Sequence, residues 1–225
     1  MHHKKAFCLP TLLFIAVLQL FFQAEGKEII LFAPHDQPEK HLISYLDQAQ
    51  KQIYAAVYVL TNKAITKALM RAKKRNVDVQ IIVDAATLDH KTHTIEQLKE
   101  AEIDIFVYPS TPHHAVNKQQ PTHKGIMHHK FALIDNSLWT GSFNWTTSAN
   151  KYNKENVIIS DDISTCTRYK EEFNALKIES INPKRKNKVS HGGNRKKQNR
   201  VSFFKSPLQA IKAYFRRTSR PRSND

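Results

Sequence analysis

Cysteine is almost missing from this chain. Of its 225 residues only Cys8 and Cys166 carry a thiol. If the first of these is lost with a cleaved leader, Cys166 stands alone, and a disulfide framework inside the chain is excluded. A long apolar run is missing too. The stretch from Leu12 to Phe22 falls short of the ~20 residues that a membrane-spanning helix needs. No internal repeat of 20–50 residues is present, which argues against solenoids and propellers. Acid is scarce in one place only: residues 184–225 hold 14 Lys/Arg and a single carboxylate side chain, Asp225. A block that basic attracts polyanions such as nucleic acid, anionic lipid or acidic surface polymers.

The ends of the chain differ from its middle. Met1-His2-His3-Lys4-Lys5 is a short basic start, the apolar run follows, and Ala24-Glu25-Gly26 puts small residues before Lys27. This three-part pattern predicts a secretory signal peptide over 1–26, removed on export to a periplasm or beyond the cell. Residues 27–183 are nearly neutral, with 19 Lys/Arg against 18 Asp/Glu, and form the expected single domain. Residues 184–225 then carry a net +13. Their composition predicts a largely disordered basic tail. Within it, Leu208, Ile211 and Phe215 recur on one helical face, a possible amphipathic helix for an anionic membrane surface.

Strands and helices are expected to alternate across the middle. Glu28 to Ala33, Gln52 to Leu60, Val77 to Val83 and Ile103 to Tyr108 read as strands, the second of them buried. Pro38 to Lys51, a segment carrying Ile65, Ala68, Leu69 and Ala72, and Thr94 to Ala101 read as helices. That rhythm predicts an α/β domain with a mainly parallel central sheet flanked by helices. Residues 109–127 interrupt it with three prolines and several histidines, and a loop this long is usually functional. Met127 to Ile134 and Leu138 to Asn144 are expected to pair as a hairpin about Asn136-Ser137. Asn156 to Ser160 and Ile163 to Lys177 close the domain as a strand and an amphipathic helix.

The chemistry concentrates between His128 and Glu155. On a strand, His128 and Lys130 face one side, while His129, Phe131 and Leu133 face the other. Past the turn, Ser142 and Asn144 share a face in the same way. Folded as a hairpin, these would bring an imidazole, an ammonium, a hydroxyl and an amide to one spot. A phosphodiester needs such groups. Lys130 offsets the charge of its nonbridging oxygens, and Ser142 and Asn144 donate hydrogen bonds to them. A neutral imidazole, His128, attacks phosphorus, and a second imidazole gives a proton to the leaving oxygen. A carboxylate should orient the nucleophilic ring, and Glu155 is the candidate. None of these steps calls for a metal or another cofactor.

The spacing His128-x-Lys130, four residues, Asp135, then Gly141-Ser142-x-Asn144 resembles the HKD signature of the phospholipase D superfamily. The strand–helix layout from Glu28 is similar to that family as well, so the likeness runs over about residues 28–180. Small single-motif bacterial endonucleases are the members it resembles in size. The resemblance implies a phospholipase D-like fold and a metal-independent phosphodiesterase. It implies His128 as nucleophile or general acid, Lys130 and Asn144 as phosphate-binding groups and Ser142 as their support. Glu155 corresponds to the acid that contacts the histidine. Asp135 matches the motif aspartate, although its place past the strand end suggests a structural or interfacial role.

Phospholipase D proper carries two such motifs in one chain, and this sequence has one. His35, His41, His90 and His93 lack the lysine and aspartate that would make another. The expectation is a homodimer with a shared active site on its two-fold axis. The basic tail favours nucleic acid as substrate, so a nonspecific nuclease comes first. A phospholipase D acting on phosphatidylcholine-type lipids is the alternative. His113, His114 and His123 have no tight ligand spacing, so no metal site is expected. With Lys118 and Lys124 they suit a substrate-gating loop better. Trp139 and Trp145 are expected in the core rather than stacked on bases.

Overall fold

A computed structural model describes residues 26–90, 92–110 and 125–182. The expected leader, the histidine-bearing loop with His113, His114, Lys118, His123 and Lys124, and the basic tail lie outside the described residues. Seven strands form one sheet in the order β1-β7-β6-β5-β2-β3-β4. They are β1 Glu28–Phe32, β2 Gln52–Val57, β3 Asp78–Asp84, β4 Asp104–Tyr108, β5 Lys130–Ile134, β6 Ser137–Gly141 and β7 Asn156–Ser160. The helices are α1 Pro38–Gln48, α2 Lys63–Lys74, α3 Thr94–Glu100, α4 Thr147–Lys151 and α5 Ile163–Glu179. No helix among the described residues is long and apolar enough to cross a membrane.

The α/β class is as expected, but the sheet is mixed rather than mainly parallel. Only β2–β3 and β3–β4 run parallel. The pairs β1–β7, β2–β5, β5–β6 and β6–β7 are antiparallel. Connection type explains the split. The parallel strands are joined by α2 and α3, and parallel neighbours need such crossovers. β5 turns straight into β6 through Asp135, which adopts a left-handed φ of 51°, and a tight turn can only reverse direction.

Each face of the sheet has its own cover. On one side Leu42 and Leu46 of α1, Ile65, Ala68, Leu69 and Ala72 of α2 and Leu98 of α3 pack on Ile53, Ile81, Val83, Ala132 and Trp139. Asn62 starts α2 by accepting from the N–H groups of Ala64 and Ile65 at 2.8 and 3.1 Å, and Arg71, Lys73 and Lys74 complement the dipole at its end. On the other side α5 brings Phe173 and Leu176 onto Ala56, Ile82, Phe131, Leu133 and Leu138. The Tyr54 ring stacks on Phe173 with centroids 5.2 Å apart. Each fully buried Leu, Ile or Phe contributes about 1.5–3 kcal/mol. The two faces therefore hold the strand ends in place without a disulfide.

Candidate active site

The site lies at one end of the sheet, where β2 and β3 finish and β5 begins. Antiparallel pairing sets Val57 opposite Lys130, and the Tyr58 N–H donates to the His129 carbonyl at 2.8 Å. His128 is exposed, just outside the strand, while Lys130 is 7% exposed. The Lys130 Nζ donates to the His128 carbonyl at 2.6 Å, so the cation is tied to the residue that carries the imidazole. An ammonium has three donors, and among the described residues only this one is used, which suits the group to an anionic ligand. The Tyr58 ring makes a common wall. Its centroid is 4.6 Å from that of His128 and 5.1 Å from the Lys130 Nζ.

Electrostatics suits a phosphate ester. Burial pushes Lys130 down to about 8, opposed by the negative charge of Glu155. Burial also lowers His128, helped by Lys130 and His129 and opposed by Asp84. The imidazole is thereby favoured in its neutral, nucleophilic form.

The hairpin delivers the next groups, and a glycine is essential to that delivery. A Cβ on Gly141, whose φ is +152°, would lie 2.1 Å from the Asn156 carbonyl oxygen. Only glycine lets β6 meet β7 this closely. Next to it, the Ser142 Oγ donates to Glu155 Oε2 at 2.5 Å and accepts from the Asn156 N–H at 3.0 Å. The other Glu155 oxygen accepts from Asn153 Nδ2 at 2.9 Å. Asn144 is held by its neighbour. The Trp145 N–H donates to Val59, and the Trp145 carbonyl accepts from Thr61 and Asn62, just past β2. The Asn144 Oδ1 is buried without a hydrogen-bond partner among the described residues.

His128, Lys130, Ser142, Asn144 and Glu155 thus all sit where strands end on this one edge. Asp135 does not. It follows the opposite end of β5, roughly 16 Å along the strand from Lys130 at about 3.3 Å per residue. Its carboxylate accepts from the backbone N–H groups of Gln50 and Lys51 at 2.8 Å each and of Gln52 at 3.0 Å. Burial alone would raise this carboxyl, and those three donors hold it below the usual range. Asp135 pins the α1–β2 connection to the β5–β6 turn.

Among the described residues of one chain, the partners of Glu155 are Ser142 and Asn153. Among the described residues, the acid whose charge reaches His128 is Asp84, which directly follows the expected strand Val77 to Val83. The one available signal was an aspartate following three apolar residues, Ile81 to Val83. His129 behaves as expected, pointing to α5 with Nε2 3.3 Å from Glu172. Trp139 and Trp145 are core residues at 1% and 0% exposure.

Comparison with known proteins agrees with this geometry. Residues 42–177 match the family model described as cardiolipin synthase, PLD-like domain. The chain is 32% identical over 150 residues to a phospholipase D of Rickettsia prowazekii, covering 66% of this chain and 67% of that one. It is 32% identical over 145 residues to the mitochondrial cardiolipin hydrolase of Xenopus laevis, covering 64% and 63%. Among solved structures, NucT from Helicobacter pylori superposes with a TM-score of 0.62 at 24% identity, covering 70% of this chain and 99% of that one. The phospholipase D family member Nuc from Salmonella typhimurium does so at 0.58 and 24%, covering 70% and 98%. At that identity the two superpositions speak for the fold alone.

Proposed function

The chain belongs to the phospholipase D superfamily, a family of phosphodiesterases, and from that premise we propose that it cleaves polynucleotides without a metal, through a phosphohistidine on His128. The observation that carries the reaction type is the joining of exposed His128 to buried Lys130 through one short hydrogen bond. In the proposed reaction the neutral imidazole attacks phosphorus while Lys130 and Asn144 hold the nonbridging oxygens. Ser142, fixed on Glu155, supports them. The P–O bond to the leaving oxygen breaks as a protonated imidazole supplies its proton. Water then attacks the phosphohistidine, and the same pair of rings returns to its starting state.

Among the described residues one chain offers one such imidazole at this site, since His129 turns away toward Glu172. The proton donor is therefore assigned to a second copy, in a homodimer whose two edges face each other. Polynucleotide as substrate rests on the +13 charge of residues 184–225. The same residues, behind an export signal at 1–26, would act in a periplasm or outside the cell.

A second reading has its own support. The relatives that match over about two thirds of their length are named for lipid hydrolysis. Beside the site, Ile30 and Phe32 of β1 are more than half exposed, as apolar groups facing a lipid would be. The deciding experiment gives residues 27–225 plasmid DNA and phosphatidylcholine or cardiolipin vesicles in parallel, with excess EDTA and beside His128→Ala. EDTA-resistant DNA cleavage that disappears in the variant is the expected result. Headgroup or phosphatidate release without DNA cleavage would transfer the assignment to lipid. Activity abolished by EDTA would sink the phosphohistidine route.

A further inference from the structure

We propose that Asp84 is a positioning residue of this active site: from the end of β3 its buried carboxylate fixes the backbone beneath His128 and sets the charge around the imidazole. Asp84 has no exposed surface, 0%, yet it is an ion-forming side chain at the end of a hydrophobic strand. Such a group is costly to bury unless its oxygens are filled. They are. Oδ1 accepts from the Ala86 N–H at 2.9 Å and from the Ser110 hydroxyl at 2.7 Å. Oδ2 accepts from the Met127 N–H at 2.9 Å.

Two of these donors lie far from Asp84 in sequence. Ser110 follows β4, and Met127 immediately precedes His128. One carboxylate therefore draws together the chain before and after residues 111–124 and fixes the peptide from which His128 projects. A second arm leaves the same corner. In the short 3-10 helix Ala85–Asp89, which Asp84 caps, the Thr87 hydroxyl donates to the Tyr58 carbonyl at 2.9 Å. Tyr58 is the ring against His128. Both the main chain under the imidazole and the wall beside it thus trace back to the end of β3.

Among the described residues, the groups acting on the His128 ring are Lys130 and His129 on its own segment, Tyr58 after β2, and Asp84 at the end of β3. Glu155 acts on Lys130, and Glu172 of α5 engages His129. Among the described residues of one chain, Asp84 is the acid acting on the ring itself, and it raises an imidazole that burial, Lys130 and His129 lower. A histidine that is attacking group in one copy and proton donor in the other benefits from that opposition, because neither form is then strongly disfavoured.

This inference rests on His128 as the reacting group, and the test keeps the two apart. The His128 imidazole is titrated by NMR in the full chain, assigned by its disappearance in His128→Ala, and compared with Asp84→Asn. The amide leaves one backbone N–H without an acceptor and removes the charge. The titration midpoint is expected to move to lower pH, and hydrolysis of bis(p-nitrophenyl) phosphate should fall about tenfold or more, as misplacement of a reacting group costs. An unmoved midpoint in a folded variant would overturn the proposal, whatever happens to rate. Should Asp84→Asn not fold, Ser110→Ala keeps the charge and removes one dipole that shields it. Its midpoint should move to higher pH; no movement, or movement downward, would equally overturn the assignment. Hydrolysis undiminished in His128→Ala would instead refute the function proposed above and leave the titration result standing.

Discussion

The two ends of β5 hold two parts of one sequence motif and do different work. At the start, the Lys130 ammonium makes one hydrogen bond among the described residues, and the Asn144 Oδ1 at the same end of the sheet makes none. At the far end, Asp135 spends its carboxylate on three backbone N–H groups. A functional site is left incomplete so that a ligand can complete it, whereas a structural polar group is satisfied within the fold. The contrast shows that close spacing in a motif does not imply a shared task. A strand carries its residues about 3.3 Å apart, and five of them are enough to separate chemistry from folding.

The contrast can be broken most directly by exchanging the damage. His128→Ala should lower phosphodiester turnover by roughly 10⁴-fold or more, as removal of a nucleophile does, with the melting temperature little changed. Asp135→Ala should do the reverse, losing about 1–2 kcal/mol of stability from its backbone hydrogen bonds and keeping kcat within about threefold. Denaturant unfolding and steady-state kinetics on both variants decide it. A large kcat loss in folded Asp135→Ala would mean that the two ends are not separate.

A pH profile sharpens the same division. Lys130 must be charged to hold phosphate, and burial has brought it down to about 8. The value of kcat/KM should therefore fall as pH rises through about 8, and Lys130→Arg, whose cation does not titrate in this range, should lose that part of the fall. At the other end the sign is opposite. Asp135 has a lowered folded pKa, so its stabilisation is complete above the ordinary carboxylate value and is lost as pH falls through the folded one. Acid should thus expose an Asp135 effect in unfolding experiments, and base should expose a Lys130 effect in kinetics. The smallest expected change is at the His129–Glu172 pair, whose side chains are 47% and 38% exposed. Glu172→Gln should shift the melting temperature by no more than about 2 °C and leave turnover unaltered.

Much of the fold could be read from local patterns. The helix at Ile65, Ala68, Leu69 and Ala72, the strand at Val77 to Val83 and the hairpin about Asn136 follow from periodicity, a cap and a turn. Strand direction could not be read, because antiparallel and parallel strands of a buried sheet share the same apolar composition. His128 and Lys130 were legible because a two-residue spacing on a strand guarantees a common face. Asp84 was not, since its role depends on Ser110 and Met127 arriving from other parts of the chain.

What the sequence determined by itself was the chemistry available: one imidazole and one ammonium on one strand face, a glycine, serine and asparagine past a turn, and a basic block kept apart from a neutral domain. Those are consequences of covalent order and of the period of a strand. Only the tertiary structure decided what each acid's oxygens meet. Asp84, Asp135 and Glu155 are all carboxylates near strand ends. Their roles are set by which backbone N–H groups and hydroxyls reach their oxygens, and that depends on strands paired across the whole length of the chain.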